Sequence, residues 1–269
     1  MSSEIDPYFS GEKLYGDDFT QDQIDAWFTD ETEGYNEISD TPRERGVYGY
    51  HALNIRHGFR HFKSCEFRNA LGFGSAFGEE FLPIIDRVKE ITIVEPSDHF
   101  VSRSIEGHPV EYVKPVSSGE LPFKAQSFDL IICLGTLHHI PNVTFVVSEL
   151  HRVLTVGGQA LIREPITSMG DWRKPRVGAT KRERGIPLGY MDAIIDNLGF
   201  KVVNKALCAF PVFNRVGSCF GISPYSNRVI TTLDHLASTV APGKERYYRP
   251  KLFQKFAAGS VFYVLAKSQ

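Results

Sequence analysis

Cysteine is scarce in this chain of 269 residues. The four present, Cys65, Cys133, Cys208 and Cys219, are far apart and form no CxxC pair. That spacing argues against a disulfide frame and against a cysteine-based zinc site, and it suits reduced thiols in a cytoplasmic protein. Long apolar runs are missing too. No stretch approaches the ~20 residues of a membrane span, and Met1-Ser2-Ser3-Glu4 does not begin a signal peptide. Nor is there an excess of positive charge: 30 Lys and Arg stand against 32 Asp and Glu, net −2, which argues against a generally basic nucleic-acid binder. Internal repeats and low-complexity tracts are absent. What remains, 42% apolar and 23% charged, is an ordinary globular composition, long enough for one large domain with appendages.

The charge is unevenly placed. Residues 1–40 carry twelve acidic side chains and a single lysine, Lys13. Thr20-Gln21-Asp22-Gln23 has capping-box spacing, and Ile24, Trp27 and Phe28 follow at helical intervals, so an amphipathic helix is predicted over about 20–32. Such a helix could close over a pocket through its aromatic face; the plainer alternative is a solvated acidic arm. The sign then reverses across 43–68, with Arg43, Arg45, Arg56, Arg60, Lys63 and Arg68. His57 and His61 are spaced to share a helical face, but a metal needs more ligands than that pair. No metal site is expected.

From residue 67 strands alternate with helices. Strands are predicted at 68–71, 91–94, 110–113, 128–134, 159–163, 201–210 and 261–266, with helices near 75–85, 142–154 and 187–198. Phe128-Asp129-Leu130-Ile131-Ile132-Cys133-Leu134 is the apolar run of a strand buried on both faces. This rhythm calls for a doubly wound, seven-stranded α/β sheet of the Rossmann-like kind, its last strands mixed in direction. Two stretches break it, 165–186 and 211–258. Residues 1–62 are expected to form an N-terminal helical cap on a main domain spanning 63–269.

At the first strand's end lies a glycine turn, Gly72-Phe73-Gly74, and the second strand ends on Glu95, 23 positions beyond Gly72. Two glycines let a backbone approach a ligand. A carboxylate at that offset, near the ~20 residues of dinucleotide folds, suits ribose hydroxyls. The third glycine of a dinucleotide fingerprint is missing, with Ala76 near its place.

More specific is Leu121-Pro122-Phe123, then Ser127-Phe128-Asp129-Leu130-Ile131, then Leu137-His138-His139-Ile140-Pro141, followed by Glu149-Leu150-His151-Arg152-Val153-Leu154 and Gly157-Gly158. In order and spacing these resemble the class I S-adenosylmethionine-dependent methyltransferases of the small-molecule type, over about 67–165. The resemblance implies S-adenosylmethionine as cofactor. It places Leu71, Gly72 and Gly74 at the methionine part and Glu95, followed by Pro96, at the ribose. Val116 and Ser117 fall by the adenine, and Leu134, Gly135 and the residues to His139 border the sulfonium and the acceptor. By likeness to sugar O-methyltransferases, His139 is the expected general base, Glu164 its partner, and His138 a neighbour in the site. Three positions depart from the family: Ala70 and Ala76 replace an acidic residue and a glycine, and no acidic residue occurs in Lys114-Pro115-Val116-Ser117.

The basic stretch at 165–186 is similar to methyltransferases of surface-polysaccharide pathways. Arg173, Arg176, Tyr247 and Arg249 are expected to contact an anionic acceptor, because guanidinium groups suit carboxylate and phosphate. The expected function is O-methylation of a sugar or sugar-containing anionic metabolite, with an oligomer left open. RNA methylation is an alternative that the net charge disfavours. A non-catalytic scaffold, suggested by Ala70 and Ala76, is another.

Overall fold

The computed structural model describes residues 6–39, 48–63, 66–172, 174, 176, 180–241, 243 and 246–268. Its strands are β1 (Phe67–Phe73), β2 (Val88–Val94), β3 (Ser104–Ile105), β4 (His108–Val113), β5 (Phe128–Leu134), β6 (Leu154–Pro165), β7 (Phe200–Cys208) and β8 (Ser260–Lys267). They form one eight-stranded sheet in the order β3-β4-β2-β1-β5-β6-β8-β7. β1 lies parallel to both β2 and β5, and β6 continues parallel to β5. β8 runs antiparallel between β6 and β7. Because the strand order reverses at β1, the C-terminal ends of β1, β2 and β5 open a crevice where such sheets bind ligands.

The helices are α1 (Asp6–Ser10), α2 (Gln21–Ser39), α3 (His51–His57), α4 (Val143–Val153), α5 (Leu188–Asn197), α6 (Pro211–Phe220) and α7 (Arg228–Val240). Alternation along β5 splits the core into two layers. Ile131 and Cys133 pack with Val146, Val147 and Leu150 of α4 and Ile194 and Ile195 of α5. Leu130 and Ile132 pack with Leu53 of α3, Phe59, Phe81 and Tyr225. The sequence motifs join these layers. Arg152 pairs with Glu149 at 2.6 Å and donates to the Phe123 and Leu121 carbonyls, while Glu149 accepts from the Leu121 amide. The LPF segment and the ELHRVL helix thus form one brace.

Several expectations need correction. Eight strands replace seven: β3 pairs antiparallel with β4 around Glu106 and Gly107, both at positive φ, and a two-residue strand gives no periodic signal. An α-helix expected over 75–85 is instead a 3₁₀ run, Glu79–Arg87. Gly78, at φ 73°, interrupts the start, and Pro83 lacks the amide a regular helix needs. The strand expected at 159–163 begins earlier, at Leu154 directly after α4, so that Gly157-Gly158 lies within β6, whose register against β5 shifts between Phe128 and Leu130.

The acidic segment packs on the fold. Gln23 Oε1 accepts from the Thr20 amide at 2.9 Å, closing half of the expected capping box. α2 runs from Gln21, and its Ile24 and Trp27 are buried. Cys133 and Cys208 are free and buried; Cys65, Arg43 and Arg45 lie outside the described residues. No helix among the described residues is long and apolar enough to cross a membrane.

Candidate active site

The glycine turn is backbone pressed against side chain. Gly74, at φ 66°, donates its amide to the Val94 carbonyl at 2.9 Å, and any Cβ there would overlap the Thr136 side chain. Thr136 in turn donates its hydroxyl to the Phe73 carbonyl at 3.0 Å, tying the end of β1 to the turn after β5. Ala76 sits at φ 44°, a left-handed conformation that suits glycine. Its amide donates to Glu95 at 3.1 Å and its carbonyl accepts from Tyr112 at 2.9 Å. Glu95 is buried and accepts a second amide, from Ser97, at 3.0 Å. Burial pushes the Glu95 carboxyl above the usual range, against those two amides.

Beside this turn a cavity of about 160 Å³ is lined by Gly74, Glu95, Pro96, Val116, Ser117 and Gly135, with Trp27, Phe28 and Glu31 of α2 on its outer side. A larger one, about 1020 Å³, is lined by Ser75, Glu80, Leu134, His138, Arg163 and Glu164, among others. Both include Gly74, Gly135 and His139 in their walls.

At that junction two adjacent imidazoles are held by different carboxylates. His138 Nδ1 lies 2.7 Å from Glu164, and His139 Nδ1 lies 2.9 Å from Glu31 of α2. The expected pairing of His139 with Glu164 is therefore corrected. Glu164 also accepts from the amides of Thr136 and Leu137, at 2.9 and 2.8 Å, which fixes the turn on the carboxylate. Burial and the neighbouring His139 hold His138 below its ordinary value. Burial would lower His139 as well, but the Glu31 hydrogen bond and charge carry it above. Glu164, despite its burial, is held below the usual carboxylate range by His138 and the turn amides.

The turn is braced from outside. Trp27, fully buried, donates its indole N–H to the His139 carbonyl at 2.8 Å. Arg184 donates to the carbonyls of His138, Ile140 and Pro141. Asp30 of α2 takes Lys181 and Arg182 at 2.9 and 2.5 Å. Part of the basic stretch at 165–186 therefore pairs with the acidic segment.

Other predicted contacts fall elsewhere. Leu71 is buried in the core, and the space a Cβ would need on Gly72 is taken by Ser75; neither lines these two cavities. Arg176 donates to the Met169 and Thr180 carbonyls, Tyr247 to the Gly185 carbonyl, and Arg249 to Ala257 and Ala258. These three stabilise loops, and none lines either cavity. Arg173 lies outside the described residues. No cluster of three metal-ligating side chains occurs among the described residues. Glu31, Trp27, Glu80, Arg163 and Arg184 were not singled out for the site from sequence. Only the apolar spacing around Trp27 and the basic run holding Arg184 gave any signal.

Comparison with known proteins matches residues 71–162 to the family described as "Methyltransferase domain". The match runs from the end of β1 into β6. The ubiquinone/menaquinone biosynthesis C-methyltransferase UbiE of Xylella fastidiosa is 33% identical over 78 residues, 29% of this chain and 30% of that enzyme. The chloroplastic 2-methyl-6-phytyl-1,4-hydroquinone methyltransferase of Arabidopsis thaliana is 26% identical over 98 residues, 36% of this chain and 29% of that one. The chain thus matches less than a third of the length of these curated relatives. A solved S-adenosylmethionine-dependent methyltransferase of Leishmania major shares the fold, with TM-score 0.56 and 14% identity over 89% of this chain and 82% of that one.

The residues present fit S-adenosylmethionine as a cofactor. Gly74 contributes bare backbone to the walls of both cavities, and Glu95 stands at the end of β2 on the wall of the smaller one. Gly74, Glu95, Pro96, Val116, Ser117 and Gly135 would hold the nucleoside, and Ser75, Ala76 and Leu134 border its continuation into the larger cavity.

Proposed function

We propose that the chain is an S-adenosylmethionine-dependent methyltransferase that methylates a hydroxyl-bearing acceptor in the larger cavity, with His138 as general base. When bound, the cofactor supplies an electrophilic methyl on its sulfonium. The chain's part is to orient the acceptor, exclude water and remove the hydroxyl proton.

The observation that carries the assignment is the His138–Glu164 contact. With Nδ1 engaged by the carboxylate, Nε2 of a neutral His138 is left to accept a proton, and ionised Glu164 stabilises the imidazolium that results. This moves the base from His139, which Glu31 holds toward its protonated form. His139, Glu31 and Trp27 instead join α2 to the site, so α2 acts as a lid over the smaller cavity.

Tyr48, Tyr50, Phe77, Phe100 and Tyr225 supply aromatic walls to the larger cavity, against which a sugar ring or a flat phenolic ring can pack. O-methylation of a sugar is the leading assignment. Its support from the basic stretch is weakened, since Arg176 and Arg249 are spent on backbone carbonyls and Lys181 and Arg182 on Asp30. The names of the relatives favour a second assignment, C-methylation of a hydroquinone. Removal of a phenolic proton by the same His138 would activate that ring. A deuterated methyl donor, offered with hexose acceptors and with hydroquinones, separates the two by mass and by position of label. Labelled methyl on a sugar oxygen supports the first, and label on ring carbon the second. Cofactor binding with no label in either class would count against both.

A further inference from the structure

The larger cavity holds two opposite charges that do not pair with each other. Glu80, on the 3₁₀ run after the glycine turn, is buried with its carboxylate in the cavity wall. Arg163, at the C-terminal end of β6, pairs in register with Leu134 and lies in the same wall. No salt bridge joins either to any partner among the described residues.

Arg163 is fixed but underused. Its Nη1 donates to Asn54 at 3.2 Å, and Tyr48 accepts from the other end of Asn54 at 2.8 Å. Tyr50 lies under the guanidinium, 4.2 Å from its carbon to the ring centroid. Among the described residues the other guanidinium donors have no protein acceptor. Its Nη2 lies 3.7 Å from where a Cβ would stand on Gly135, at the junction of the two cavities. Ser75 lies in the same wall, its hydroxyl beside the Glu80 carboxylate.

A preorganised cation and a buried carboxylate, unpaired in one cavity, suit a zwitterion. S-adenosylmethionine ends in one, an α-ammonium beside an α-carboxylate, while its nucleoside end carries neither. We infer that Glu80 takes the ammonium and Arg163 the carboxylate of the cofactor's amino-acid end, a clasp that stands in for the carboxylate missing at Ala70. The clasp rests on the methyltransferase assignment. Burial pushes the Glu80 carboxyl up to about 7, so a cation docked beside it would favour the charged form.

Calorimetry on the full chain tests this with S-adenosylhomocysteine, which has the amino-acid end, and 5′-methylthioadenosine, which lacks it. The wild-type protein should bind the first at least tenfold more tightly. Glu80→Gln and Arg163→Gln should each weaken the first at least tenfold and shift the second less than twofold. Equal affinities in the wild type overturn the clasp without any variant, even if the variants fail to fold. Unchanged S-adenosylhomocysteine binding in both variants, or equal losses for both ligands, overturns it as well. A wild-type protein that binds neither ligand overturns the methyltransferase assignment and the clasp together.

Discussion

His138 and Glu164, 26 residues apart in sequence, meet Nδ1 to Oε2 at 2.7 Å where β5 and β6 end side by side. If His138 is the base, His138→Asn should lower kcat by a factor of about 10²–10⁴. Binding of S-adenosylhomocysteine should stay within about threefold, by calorimetry, since cofactor recognition is assigned to other groups. Activity within twofold of wild type would remove His138 from the role. His139→Asn should cost less, and its loss should accompany a looser α2.

Trp27 and Asp30 give a contrast in how α2 is held. Trp27 is completely buried and its indole is bonded to His139, so Trp27→Ala should cost about 3–5 kcal/mol in urea denaturation, or release α2 to proteolysis before global unfolding. Asp30→Asn loses contacts to Lys181 and Arg182, the first a mostly exposed side chain. It should cost no more than about 1 kcal/mol and reduce the salt sensitivity of α2 docking.

Ala76 pays for its left-handed φ of 44°. Glycine there would relieve about 1–2 kcal/mol of backbone strain and give back about 0.4–1 kcal/mol through the unfolded chain. Ala76→Gly should therefore stabilise by up to about 1.5 kcal/mol, seen as a rise in Tm of about 2–4 °C per kcal/mol. A fall in Tm would show that the Ala76 methyl packs favourably in the turn.

His57 links stability to pH. Burial, then His235 and Arg56, lower it from 6.5 to about 3 in the folded chain, and its Nε2 is buried without a partner. Between about 3 and 6.5 the unfolded chain binds the proton and the folded one does not. Stability from this group is therefore present above 6.5 and lost as pH falls, at up to about 1.4 kcal/mol per unit. Urea denaturation at pH 7 and pH 5 should show a larger loss for wild type than for His57→Gln.

The parts of this fold with local signals were legible in the sequence. The Phe128–Leu134 run, the Gly72-Phe73-Gly74 turn and the capping residues at Thr20 and Gln23 all declare themselves within a few positions. Contacts across the chain did not. Glu31 reaches His139 from 108 residues away, and nothing near Glu31 distinguishes it from the other acids of its segment. Glu80 and Arg163 carry no local mark in the sequence, and only the fold brings them to one cavity. Arg176, Tyr247 and Arg249 misled for the opposite reason, because loop carbonyls need donors as much as ligands do. The helix expected after the glycine turn failed at Gly78 and Pro83, two residues whose backbone limits outweigh the apolar spacing around them.

In the proposed function the crevice at Gly74, Glu95 and Gly135 receives S-adenosylmethionine. Isothermal titration with S-adenosylhomocysteine, on wild type and on Gly74→Val, reads that binding. A side chain at Gly74 meets both a positive φ and the Thr136 side chain. Wild type should bind one molecule per chain, and a Gly74→Val protein that still folds should show no binding. Absence of binding by wild type, or unchanged binding by folded Gly74→Val, would contradict it.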